Sequence, residues 1–144
     1  MISQRTPLTA REKLLIKQSF ESVQPYSNSL TKLFYGRLFE LRPDVRRLFK
    51  TSLEEQSRKL LDTLAVVIEA LDQFEAIRPR LAELGRKHVS YGATPTDYDS
   101  VRAALLWALA QALEIGFDRE MKAAWDHLLR AIAAAMLEGT VTHD

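Results

Sequence analysis

Cysteine is missing from this sequence altogether. That excludes disulfides, thiolate catalysis, iron–sulfur clusters and cysteine-ligated zinc. Glycine and proline are scarce, at five each in 144 residues. With Ala and Leu crowding the second half, their scarcity favours helices over strands. An excess of charge of one sign is missing too. The 20 basic and 19 acidic residues leave a formal net charge of +1, which gives no electrostatic case for nucleic acid or an anionic membrane as partner. The longest uninterrupted apolar run is Ala103–Ala110, far too short to span a bilayer. The opening MISQRTPLTA shows no apolar signal-peptide core. What is present is apolar residue in quantity, 47% of the chain, enough for one core and for an internal pocket. One domain over 1–144 in the cytoplasm is expected, with flexible ends at 1–8 and 140–144.

No internal repeat, low-complexity tract or dividing linker is visible. Helix boundaries are well marked. Thr9 and Glu12 form a capping-box pattern that opens a helix to Val23, and Pro25 interrupts it. A second helix spans Ser27 to Leu41, with Leu30, Phe34, Leu38 and Leu41 on one stripe. Pro43 breaks it and starts a short turn to Phe49. Ser52 and Glu55 open the next helix, whose apolar face carries Leu53, Leu60, Leu64, Val67 and Leu71. Ile77, Leu81, Leu84 and His88 share a face of a further helix ending near Tyr91-Gly92. Thr94-Pro95 with Asp97 starts a long helix to about Ile115, ended by Gly116. Asp118 caps a last helix to Glu138, stopped by Gly139. About seven helical segments and no strand imply an all-α domain.

Function is sought where a polar group interrupts an apolar stripe, because burying one unpaired costs about 1–3 kcal/mol. Three residues qualify. His88 follows Leu81 and Leu84 on one face. It reads either as a core histidine satisfied by a backbone carbonyl or as a ligand for iron, copper or zinc. His127 and His143 lie near the C-terminus and make no ligand pair with it, so a lone histidine makes most sense where a cofactor supplies the other ligands, as a porphyrin does. Gln56 precedes Leu60 and Leu64 on the stripe. It either donates a hydrogen bond into a pocket or stays wet at the helix start. Tyr35, beside Phe34, puts its ring at least partly inside, its hydroxyl finding a partner or solvent.

The series Phe34-Tyr35, Pro43, Leu48-Phe49, Gln56, Lys59-Leu60, His88 and Tyr98, with the stretches RPDVRRLF, EEQSRKLL and LGRKHVSYG, strongly resembles the single-domain bacterial globins. These are similar to the haem domain of flavohaemoglobins, here in a form with a distal tyrosine and glutamine. The resemblance runs from about Thr9 to Glu138 and implies a globin fold around haem b. It implies His88 as proximal iron ligand, Tyr35 and Gln56 as the distal polar pair, and Leu60 as the apolar residue over the iron. Phe49 then packs on the porphyrin with Leu84 among the cofactor contacts, Lys59 pairs a propionate, and Tyr98 lies on the proximal side. Two departures stand out. The glutamate that joins the proximal histidine and tyrosine in flavohaemoglobins would fall at Thr140; Glu138 is two residues short, about 200° around a helix. No distal histidine is present, since Gln56 holds that position, which argues against bis-histidine coordination.

The resemblance implies binding of O₂, CO and NO, serving O₂ storage or scavenging. Nitric oxide dioxygenase activity is the enzymatic alternative, needing a separate reductase because no flavin or nicotinamide domain is expected in these residues. A gas sensor and a haem-free helical module are the other readings. Oligomeric state is not legible, and charge-rich stretches such as Arg78–Arg86 read as solvated helix faces.

Overall fold

The computed structural model describes residues 7–140. His143 and the outer parts of both ends lie outside the described residues. Six α-helices follow one another: α1 (Ala10–Val23), α2 (Ser27–Leu41), α3 (Leu53–Glu69), α4 (Phe74–Ser90), α5 (Pro95–Leu113) and α6 (Arg119–Glu138). Short 3₁₀ turns join them at Gln24–Tyr26, Pro43–Leu48, Leu71–Gln73 and Glu114–Gly116. The count differs slightly from seven because the Pro43 segment is a 3₁₀ turn. No strand occurs among the described residues.

The caps act as the sequence implies. Thr9 Oγ1 accepts from the Glu12 amide at 3.1 Å while the Glu12 carboxylate accepts from the Thr9 amide at 2.8 Å. Ser52 and Asp118 accept from the amides of Glu55 and Met121, each satisfying a helix donor otherwise left unpaired. Helix α6 ends at Glu138 with Gly139 as its cap, as expected, while α5 departs from expectation. Helix α5 stops at Leu113, and Glu114 rather than Gly116 takes the positive φ, at 51°. Gly139 follows α6 with φ −68°, so it is not a left-handed cap. Its lack of a side chain answers a tertiary contact: a Cβ there would sit 2.0 Å from the Ala82 carbonyl oxygen. Reciprocally, a Cβ on Gly85 would sit 1.9 Å from the Met136 carbonyl oxygen. Helices α4 and α6 therefore cross backbone to backbone.

Packing follows from these faces. Helix α2 lies on α5, α4 on α6, and α1 crosses α6 and α5. The core gathers Ile16, Leu30, Phe34, Leu38, Val67, Leu105, Leu109, Trp125 and Leu128, all nearly inaccessible. Trp125 donates to buried Ser19 Oγ at 2.7 Å, and Ser19 donates to Leu15 O at 2.8 Å, so the indole N–H is satisfied inside. Helix α3 rests on α2 and has no extensive packing against α4.

Candidate functional site

The polar interruptions of the sequence lie on α2, α3 and α4. His88 sits in the last turn of α4, half-buried, and its Nδ1 lies 2.8 Å from the Leu84 carbonyl oxygen. A carbonyl only accepts, so Nδ1 carries the proton and donates. In the neutral ring Nε2 then keeps the lone pair, the form that ligates a metal. Both readings of His88 thus meet in one geometry: the carbonyl that would satisfy a core histidine also orients a ligand. The corner after it is fixed by Ala93 N–H donating to His88 O at 3.0 Å and by Gly92 at φ 101°. A Cβ on Gly92 would approach Leu48 to 3.2 Å, which brings the Pro43–Leu48 turn against this corner.

Around that turn three rings interlock. Tyr35 meets Phe49 edge-on at 5.6 Å, Phe39 meets Phe49 at 5.6 Å, and Tyr35 lies 6.1 Å from Phe39. Arg46 places its guanidinium 5.0 Å over the Phe39 ring. Tyr35 is only 5% exposed; burial pushes its phenol up to about 12, so it stays protonated and a donor at neutral pH. No described residue hydrogen-bonds its hydroxyl. Phe39 was not singled out from sequence, although its position one turn after Tyr35 on the same helix is a usable signal.

On α3, Gln56 is partly buried and its Nε2 donates to Thr51 Oγ1, which leaves the amide oxygen uncommitted. Leu60 is partly buried against the core and Lys59 is exposed beside it. Leu84 and Tyr98 are partly buried in the same way. The Tyr98 hydroxyl is buried without a hydrogen-bond partner among the described residues, and burial raises its phenol. Helix α5 is held at its start by Asp97, which accepts from Thr94 N–H at 2.8 Å and faces Arg42 at 3.1 Å. This bridge between the end of α2 and the start of α5 went unread in the sequence.

Glu138 faces Arg78 at 3.1 Å, while the Nδ1 of His88 is engaged by Leu84. Its neighbour Thr140 donates to Leu137 O at 2.7 Å. Among the described residues no group of three or more His, Asp or Glu side chains is placed to hold a metal ion. A groove of about 480 Å³ lies elsewhere, between α1 and α3 around Phe20, Ala65 and Ile68, and contains none of these groups.

A planar apolar cofactor with its own metal fits this arrangement. Phe49, Leu60 and Leu84 would cover its faces, His88 would supply a nitrogen ligand, and a tyrosine hydroxyl would lie beside it. The Tyr98 hydroxyl, buried and unpaired among the described residues, otherwise costs about 1–3 kcal/mol.

Comparison with known proteins gives a concordant result. The family model described as Globin matches residues 32–136. Flavohemoprotein B of Dictyostelium discoideum is 26% identical over 132 residues, 91% of this chain but 31% of its own length; the chain spans about a third of the flavohaemoproteins it matches. Neuroglobin of Tetraodon nigroviridis is 25% identical, with 92% of each chain covered. Among solved structures, a hexacoordinated heme protein from an anhydrobiotic tardigrade superposes with TM-score 0.83 at 22% identity, covering 96% of this chain and 98% of that one. A bacterial globin from Campylobacter jejuni gives 0.77 at 24%, covering 91% and 95%. At these identities the superpositions speak for the fold alone. Among the described residues no helix is long and apolar enough to cross a membrane.

Proposed function

The chain belongs to the globin family, and from that membership we propose that it holds haem b through His88 and binds O₂, with CO and NO as further ligands. When bound, the haem would supply an iron able to take a diatomic gas. The single observation that carries the reading is the Nδ1–H donation from His88 to Leu84 O at 2.8 Å, which fixes the ring and leaves Nε2 as the ligand atom.

The chain's other residues have definite parts. Phe49, Leu60 and Leu84 exclude water from the cofactor faces. Tyr35, kept protonated by burial, offers a hydroxyl donor in a low-dielectric setting, where a hydrogen bond to a ligand carrying partial negative charge is strengthened. Gln56 is the second distal polar group. Its amide reaches the pocket on release from Thr51, or Thr51 holds it at the rim. Lys59, exposed at the start of α3 and without a carboxylate partner, is suited to a propionate. Tyr98 adds a buried hydroxyl on α5.

A donor that retains O₂ favours storage or scavenging over rapid delivery. It equally suits nitric oxide dioxygenation, and the flavohaemoprotein relatives favour keeping that second reading, with the reductase as a separate protein. The test is a haem titration of the purified chain followed by oxidised, reduced and CO spectra. Stoichiometric uptake with a CO-shifted Soret band is expected. Failure to take up haem after reconstitution would overturn the proposal. Nitrate formed steadily from NO with a cellular reductant would select the enzymatic reading; stable O₂ binding without turnover would select storage.

A further inference from the structure

Charge is balanced over the whole chain but not locally. Many cations are ion-paired, as in Arg11–Glu120, Lys13–Asp72 and Arg102–Asp126. The stretch 46–59 is different. Arg46, Arg47, Lys50, Arg58 and Lys59 are all exposed, and none of the five forms an ion pair with a described residue. Asp44, the nearest preceding acid, is engaged by Arg42 at 3.2 Å and also feels the charge of Arg47. Only Glu54 and Glu55 offset the five, so 46–59 carries a net +3 where the whole chain carries +1.

The location matters as much as the charge. Phe49 and Gln56, two of the proposed pocket residues, lie inside this stretch, and Leu60 follows it directly. Leu48 touches the Gly92 corner, where Val89 and Tyr91 are 50% and 59% exposed. Exposed apolar side chains with a cationic rim form the composition of a transient protein interface. Like charge gathered at one edge also steers an oppositely charged partner to that edge.

We infer that this cationic collar is the docking surface for an acidic electron-donor protein carrying a flavin or an iron–sulfur group. The inference rests on the haem reading above. The step is a one-electron transfer: the donor's reduced group is oxidised by one electron, ferric haem iron becomes ferrous, and no covalent bond forms or breaks. The collar brings the donor beside the proposed pocket residues, and the charges set the encounter rate more than the final affinity.

The test uses haem-loaded ferric protein and a reduced [2Fe–2S] ferredoxin, a small acidic carrier, as probe. The variant is R47E/K50E/R58E; Arg46 is kept because it lies over Phe39, and Lys59 because it is assigned to the cofactor. The control is R119E/K122E, a charge reversal of two exposed cations on α6. At low salt the collar variant should be reduced about tenfold or more slowly than the parent. The gap should close as salt rises, and the control should match the parent much more closely. Amide shifts induced by ferredoxin should fall on 43–59 and 89–92. Equal rates in all three proteins, or an equal loss in the control, would overturn the inference. Binding of the collar to phosphatidylserine vesicles without any ferredoxin effect would overturn it in favour of a membrane surface. Spectra on the same samples separate the two levels: a normal haem spectrum with no ferredoxin effect removes the docking surface alone, and absence of haem removes both.

Discussion

Replacing Gly85 with Ala probes the scaffold that carries His88. A Cβ there would lie 1.9 Å from the Met136 carbonyl oxygen and 2.8 Å from its Cα. Ordinary contact begins near about 3.5 Å, so α4 and α6 must separate by about 1.5 Å, and neither atom belongs to a side chain that could rotate away. Alanine recovers about 1 kcal/mol of helix propensity relative to glycine. Overpacking of this kind costs about 1–3 kcal/mol, or more where backbone must move. A net destabilisation of about 2 kcal/mol is expected, equivalent to a fall in Tm of about 6 °C for a chain of this size. His88 lies three residues further along α4, so its haem should also be held less firmly. Urea unfolding of the haem-free chain gives the first quantity, and haem transfer to an acceptor globin gives the second. A variant as stable as the parent, or more stable by the propensity gain, would refute the close crossing.

Other outcomes follow from the same geometry. Tyr35→Phe removes a hydroxyl that no described residue bonds, so apoprotein stability should change by less than about 0.5 kcal/mol, while O₂ dissociation by stopped flow should quicken about tenfold, the effect of one strong hydrogen bond; an unchanged off-rate would remove Tyr35 from its role. Trp125→Phe breaks a buried bond to Ser19 across 106 positions and should cost about 1–3 kcal/mol in urea unfolding. Burial would raise the Glu12 carboxyl, but the hydrogen bonds from Thr9 and His127 outweigh it and hold the group below its ordinary value. Its folded value is thus depressed, so its stabilisation is present above the ordinary carboxylate range and lost as pH falls through the folded value. Glu12→Gln should flatten that part of the acid-unfolding curve, and an unchanged acid limb would contradict the pairing.

Sequence carried the local features of this protein and missed the non-local ones. Thr9 with Glu12, and Thr94 with Asp97, are readable because both partners lie within one helical turn. The stripe that isolates His88 is readable because helical period sorts residues by face. Arg42 and Asp97 are separated by 55 positions, and nothing in either neighbourhood announces the other. Gly139 is legible as the stop of α6, which it is, but its closeness to Ala82 on another helix is not. The ring cluster of Tyr35, Phe39 and Phe49 was half-visible: helix spacing links the first two, but the turn that delivers Phe49 is a tertiary fact. Gln56 is legible as a polar residue on an apolar stripe, but Thr51 as its partner is visible only in the structure.

The most direct test of the central claim is resonance Raman and absorption spectroscopy of ferrous haem-loaded protein beside a His88→Gly variant, with and without added imidazole. The account predicts an iron–histidine stretching band in the parent, its loss in the variant, and its return when imidazole fills the place of the side chain. A variant that keeps the parent's band without imidazole would contradict the assignment of His88 as the residue that holds the iron.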